Sequence, residues 1–314
     1  MENKKEKLIV LIGPTAVGKT NVSIELAKKL NGEIISGDSM QIYKGMDIGT
    51  AKIKPEETEG VPHYLIDIKD PTESFSAAEF QQLVRPLITD ILQRGKLPLI
   101  VGGTGLYIQS VIFDYQFPKA RQNGMIRPEL EKTANEIGYE ALYEELKKID
   151  PISAKSIHPH NVRRVIRALE YYYETGKPMS EKKENGQHLL YDVALIGLTM
   201  KREVLYERIN KRVDSMVKEG LIQEVKSLYD RGIRDCQSIQ AIGYKEIYEY
   251  FDGLITLEEA IEKLKKHSRR YAKRQLTWFR NKMDVKWFDM TPPVHIEKKV
   301  EEIFQYIAGK LLSE

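Results

Sequence analysis

Residues Gly13-Pro14-Thr15-Ala16-Val17-Gly18-Lys19-Thr20 have the G-x-x-x-x-G-K-[ST] spacing of a phosphate loop, directly after the apolar run from Lys7 to Ile12. In such a loop the glycines let backbone N–H groups turn inward around a diphosphate or larger polyphosphate. Lys19 adds a point charge, and the Thr20 hydroxyl is placed to ligate Mg²⁺. A second reactive group is Asp38, within Gly37-Asp38-Ser39-Met40-Gln41. A carboxylate there can coordinate a metal through water or take a proton from an attacking nucleophile. The turn Gly102-Gly103-Thr104-Gly105 is a third segment of interest. By themselves these features also suit an ATP-dependent kinase of a small molecule or nucleotide.

Three such segments meet only if the chain builds a parallel sheet, because ligands sit beyond the carboxyl ends of its strands. The first third of the sequence alternates accordingly. Strands are expected at residues 7–12, 33–36, 63–68 and 97–101, with helices at 20–30 and 75–94, the latter capped by Ser76. On this order Asp38 ends the strand neighbouring the phosphate-loop strand. From Pro128 to Thr175 the pattern is helical with no credible strand, and a strand returns at Asp192–Leu198. The fold expected is α/β: a P-loop NTPase-like parallel sheet flanked by helices, with an inserted all-helical domain. Residues 1–114 and 192–314 form the core, and 115–191 the insertion. Helices are also expected at 203–229 and 256–282, where Thr256 and Glu259 make a capping box.

At 314 residues with 41% hydrophobic and 30% charged content, the chain can bury a large core. No apolar run approaches the ~18 residues of a membrane span. The polar start, Met1 to Lys5, leaves no room for a signal peptide, and the single cysteine, Cys236, excludes an internal disulfide or a cysteine-based zinc site. A cytoplasmic location is expected. None of the six histidines has metal-ligand spacing with a partner. Net charge is only +3, but from His267 to Lys282 there are six Lys or Arg residues and no acid.

The phosphate loop, the run Ser36 to Lys52 (SGDSMQIYKGMDIGTAK) and Val101 to Tyr107 (VGGTGLY) together resemble the tRNA dimethylallyltransferases, or tRNA isopentenyltransferases. The likeness continues through Asn161 to Glu170 (NVRRVIRALE), Gln240 to Glu246 (QAIGYKE) and Arg270 to Arg280 (RYAKRQLTWFR), so that it spans residues 7–282. Eukaryotic members carry a C-terminal zinc finger, for which this chain lacks the length and the cysteines. It looks like a bacterial member.

The resemblance implies two substrates: dimethylallyl diphosphate, and the adenosine 3′-adjacent to the anticodon of certain tRNAs. It implies that Gly13, Thr15, Ala16, Val17, Gly18, Lys19 and Thr20 hold the diphosphate, with Mg²⁺ on Thr20, and that Asp38 hydrogen-bonds the adenine amine and accepts its proton. The pattern around Tyr206–Met216 points to Arg212 as a further diphosphate contact, with Arg208 four residues away on the same helix face. Ser39, Met40, Gln41, Thr104 and Arg127 match positions that contact tRNA. Two basic helices suggest RNA-facing surfaces on their own account. Arg163, Arg164 and Arg167 lie opposite Val162, Val165, Ile166 and Leu169. Arg269, Arg270, Lys273, Arg274 and Arg280 interleave with Tyr271, Trp278 and Phe279. The chain is expected to act as a monomer.

Overall fold

The computed structural model describes residues 5–117, 126–181 and 188–312. The chain divides into two compact units, Met1–Ile112 with Leu189–Glu314, and Phe113–His188. The first is built on a six-stranded sheet of β1 (Lys7–Ile12), β2 (Gly32–Gly37), β3 (His63–Tyr64), β4 (Leu97–Gly102), β5 (Asp192–Thr199) and β6 (Lys286–Asp289). All pairings are parallel, in the order β3-β2-β4-β1-β5-β6. Central strands covered on both faces should be apolar throughout, and Leu8 to Ile12 of β1 are 0% exposed.

Helices α1 (Lys19–Leu30), α2 (Ala77–Gln93) and α3 (Gly105–Ile112) belong to the first half of this unit. Ser76 caps α2, its Oγ accepting from Glu79 N–H while the Glu79 carboxylate accepts from Ser76 N–H. Among the described residues the second unit is built of helices: α4 (Ile126–Ile137), α5 (Tyr139–Ile149), α6 (Pro151–Ser156) and α7 (Val162–Thr175). It has its own core, in which Leu130, Leu142, Leu146, Val165, Ile166 and Leu169 are buried. After β5 the first unit resumes with α8 (Arg202–Lys218), α9 (Leu221–Asp230), α10 (Tyr244–Phe251), α11 (Leu257–Lys282) and α12 (Ile296–Ile307).

Four sequence expectations are corrected. The strand expected over 63–68 stops at Tyr64, because Leu65 and Asp67 adopt left-handed backbone (φ 62° and 56°) that cannot continue a ladder. The helix expected over 203–229 is two helices. Gly220 at φ 107° breaks it and starts α9, a conformation that suits glycine. The short edge strand β6 and helix α10 add to the elements expected from the sequence pattern. Finally, β4 lies between β1 and β2. Asp38 therefore follows a strand one removed from the phosphate-loop strand, not its neighbour.

Candidate active site

The phosphate loop closes between the end of β1 and the start of α1. Gly18 takes a left-handed φ of 103°, and α1 carries neither a side-chain N-cap nor an acid in its first turn. Its first N–H groups and its dipole are thus left to face an anion. Gly13 is required for a different reason: a Cβ there would sit 2.8 Å from the Leu198 carbonyl oxygen of β5. Lys19 Nζ donates to the carbonyls of Gly13 (3.0 Å) and Pro14 (2.9 Å), across the loop. Burial lowers the Lys19 ammonium to about 8, Asp38 opposes that shift, and Arg212 adds to it. Val17 is buried in the sheet core, so only its backbone is left for a ligand.

The loop is held from outside by α11. Gln275, 5% exposed, accepts from Thr15 N–H at Oε1 (3.0 Å) and donates from Nε2 to Gly103 O (3.0 Å). A single side chain thus ties the phosphate loop to the Gly102–Gly105 turn. A Cβ on Gly103 would meet Gln275 Nε2 at 2.0 Å, and one on Gly105 would meet the Trp278 ring at 2.2 Å. The turn is glycine-rich because α11 presses on it.

At the end of β2, a Cβ on Gly102 would lie 2.3 Å from Gly37 O, so the two strands approach more closely than side chains allow. The segment beyond is rigid. Met40 N–H donates to Asp38 Oδ1 (2.8 Å), Ser39 N–H donates to Thr104 Oγ1 (3.2 Å), and Thr104 N–H donates to Gly37 O (3.2 Å). Gln41 Oε1 accepts from Ser36 Oγ (3.0 Å), and its Nε2 donates to the carbonyls of Thr50 (3.3 Å) and Ala51 (3.2 Å).

These segments line one cavity of about 600 Å³, which takes in Thr15, Ala16, Gly18, Lys19, Thr20, Asp38, Ser39, Met40, Gln41, Arg208, Arg212 and Arg274. Arg212, half-buried on α8, is shifted down by burial while Asp38 favours its charge. Tyr271 adds a half-buried phenol pushed up to about 12 by burial and by the Asp38 charge. The cavity therefore combines cations and the start of an uncapped helix with a carboxylate, Asp38, whose charge both Lys19 and Arg212 feel and which its own backbone holds. Such a cavity can hold a diphosphate and deprotonate a nucleophile beside it.

The remaining residues named from sequence lie elsewhere. Arg270 is exposed on α11 and Thr104 acts through Ser39. In the helical unit, Arg163 and Arg164 are exposed with no carboxylate partner among the described residues. Arg127 is engaged there in a bidentate pair with Glu170 (3.1 and 2.8 Å), which Arg167 shares. The aromatic residues of α11 are divided among its faces. Phe279 is 0% exposed in the core, Trp278 packs on Gly105, and Tyr271 faces the cavity under the Arg274 guanidinium at 5.6 Å. Sequence reasoning gave no role to Gln275. Its signal was there: Leu264, Ala272, Gln275 and Phe279 form the buried stripe of α11, and a polar residue on such a stripe needs a partner.

The family model for IPP transferases matches residues 41–282. The chain belongs to the IPP transferase family. It is 67% identical over 310 residues to a tRNA dimethylallyltransferase of Geobacillus thermodenitrificans, covering 98% of both chains. It is 63% identical to that of Bacillus subtilis, covering 99% of both. Among solved structures it resembles the tRNA isopentenylpyrophosphate transferase of Bacillus halodurans (TM-score 0.74, 62% identity, 98% of this chain and 97% of that one). It also resembles a eukaryotic dimethylallyltransferase acting on tRNA (TM-score 0.82, 34% identity, 95% of this chain and 77% of that one). In this IPP transferase the phosphate loop, the Asp38 segment and Gly102 of the glycine turn all border the 600 Å³ cavity.

Proposed function

We propose that the chain transfers a dimethylallyl group from dimethylallyl diphosphate to the exocyclic amine of an adenosine in tRNA, the one 3′-adjacent to the anticodon, and releases diphosphate. The observation that carries this is the single cavity joining the phosphate loop to Asp38. An adenine amine is a weak nucleophile, since its lone pair is delocalised into the ring. Asp38 Oδ1 is held by Met40 N–H, and the other carboxylate oxygen accepts the amine proton as the nitrogen attacks the allylic carbon. The carbon–oxygen bond breaks, and its electron pair leaves with the diphosphate. The charge on that leaving group is met by the loop N–H groups, Lys19 and Arg212; one such preorganised donor is worth about 3–4 kcal/mol.

Mg²⁺ suits this donor set. The Thr20 hydroxyl is exposed to the cavity that Asp38 also lines, and no cluster of three or more His, Cys, Asp or Glu among the described residues could cage a metal. That favours an ion keeping mostly water and substrate-phosphate ligands. When bound through Thr20 it supplies further positive charge to the diphosphate.

Arg163 and Arg164 on α7, and Arg270 and Arg274 on α11, meet tRNA phosphates, while Ser39, Met40 and Gln41 border the extruded base, with Thr104 holding Ser39. The phosphate loop, Asp38 and Arg212 all come to the cavity from one chain, which supports action as a monomer. No helix among the described residues is long and apolar enough to cross a membrane; a tRNA substrate supports a cytoplasmic location. Incubating the protein with labelled dimethylallyl diphosphate and total tRNA, against labelled ATP with small acceptors, tests the reading. Label is expected in tRNA; label passing only from ATP to a small acceptor overturns it.

A further inference from the structure

The segment from Ile42 to Ile53 has no regular structure, yet Gly49, Thr50 and Ala51 line the cavity. A residue outside that cavity holds it in place. Glu224, on α9, receives three consecutive backbone amides: Asp47 N–H and Ile48 N–H at Oε2 (2.8 and 2.7 Å) and Gly49 N–H at Oε1 (3.0 Å). The Tyr244 hydroxyl donates to the same Oε1 at 2.6 Å. Tyr244 is 0% exposed, and its ring lies so close to Gly49 that a Cβ there would fall 2.5 Å from it. Burial and the Glu224 charge raise the Tyr244 phenol, so it stays a donor.

Glu224 thus accepts four hydrogen bonds with no cation paired to it among the described residues, three from the amides of one loop and one from Tyr244 of α10, whose ring packs on Gly49 of that loop. The loop then acts on the site. The Thr50 and Ala51 carbonyls fix the Gln41 amide, which Ser36 holds from its other end. Gln41 stands in the cavity three residues from Asp38. We propose that Glu224, backed by Tyr244, is a positioning residue for the nucleophile side of the reaction: it orders the Asp47–Ala51 loop so that Gln41, both its N–H groups held by that loop, presents the second lone pair of its Oε1 to the acceptor base. The inference rests on the transferase reading above. It assigns no contact between Glu224 and either substrate. Glu224 makes no hydrogen bond to the phosphate loop among the described residues, although Gly49, Thr50 and Ala51 share the cavity with that loop.

The test is a double-mutant cycle on single-turnover alkylation of tRNA at saturating dimethylallyl diphosphate. Glu224→Gln replaces two acceptors by an acceptor and a donor that the amides cannot use. It should slow the step about tenfold, the scale of a lost charged hydrogen bond. The affinity for a non-reactive dimethylallyl diphosphate analogue should stay within about twofold, because the phosphate loop is untouched. In a Gln41→Ala background the same substitution should cost less than about twofold, since the group it positions is gone. Tyr244→Phe, which keeps the ring on Gly49, should give a smaller loss in the same step. Hydrogen exchange at the amides of Asp47, Ile48 and Gly49 should quicken in Glu224→Gln, a readout independent of activity. An equal cost in both backgrounds, or a matching loss of analogue affinity, overturns the proposal. Wild-type protein that alkylates no tRNA while these amides remain protected by Glu224 would instead sink the transferase reading.

Discussion

Asp38→Asn keeps the side chain's shape and its hydrogen bond from Met40 N–H but can no longer take a proton. Alkylation should slow by ~10²–10⁴-fold, the range for a lost general base, with both substrates still bound. Single-turnover rates beside equilibrium binding of each substrate check this, and near-normal turnover would remove Asp38 from the mechanism. Lys19 and Thr20 line the same cavity and are expected to act on the diphosphate. Lys19→Ala removes a charge that burial has already made costly to hold, and Thr20→Ala removes the hydroxyl expected to carry Mg²⁺. Calorimetry with a non-reactive dimethylallyl diphosphate analogue should show weaker binding for both. Unchanged affinity together with an unchanged rate would take these residues out of the diphosphate site.

Helix α11 couples two loops that the sheet alone would leave separate. Gln275→Leu leaves Thr15 N–H and Gly103 C=O without their partners, at a cost of about 1–3 kcal/mol for each buried group. The melting temperature should fall, and so should affinity for the diphosphate analogue, because Thr15 N–H then competes for water instead of shaping the loop. A lower melting temperature with unaltered affinity would make Gln275 a packing residue only. The edge of the sheet supplies a pH-dependent element. Glu33 in β2 is buried, and the Arg94 guanidinium (2.6 and 2.7 Å) and then the Tyr64 hydroxyl (2.8 Å) hold its carboxyl below the ordinary 4.5, against the opposing effect of burial. A carboxylate lowered in the folded state stabilises it above its unfolded value, and that contribution is lost as pH falls through the folded one. Glu33→Gln should therefore be less stable than wild type at pH 7, and denaturant titrations should show the gap closing below pH 4.5. A gap independent of pH would assign the loss to packing.

On the scale of the whole molecule, a net charge of +3 hides local basic surface. Arg163 and Arg164 project from the helical unit, and Arg270, Lys273 and Arg274 from α11 of the sheet unit. Charge reversal at Arg163 and Arg164, or at Arg270 and Arg274, should weaken tRNA binding. Each phosphate that is no longer neutralised should flatten the log–log salt slope by ~0.7–0.9. Filter binding across a salt series decides it, and an unchanged slope for both pairs would mean that RNA is met elsewhere. The first pair should leave affinity for the diphosphate analogue intact. Arg274 borders the cavity, so the second pair carries a smaller expected loss there too.

What the sequence by itself determined is what depends on neighbours along the chain. The phosphate loop needs only its eight residues, with glycine at the left-handed Gly18 and apolar residues in the strand before it. The Ser76 and Thr256 capping boxes, the amphipathic faces of α7 and α11, and the alternation that makes the sheet parallel are equally local. The lengthy motifs identified the family on the same basis. Tertiary structure decided what depends on partners far away in the chain. Thr15 and Gln275 are 260 residues apart, and Glu224 and Ile48 are 176 apart, so no spacing rule links them. The order of strands is also a global choice, which is why β4 came between β1 and β2 and displaced Asp38 from the position expected of it. On α11, periodicity located the basic face. Only packing could show that Phe279 turns to the core, Trp278 to a glycine turn and Tyr271 to the cavity, because a helix has several faces and its neighbours decide which of them stays dry.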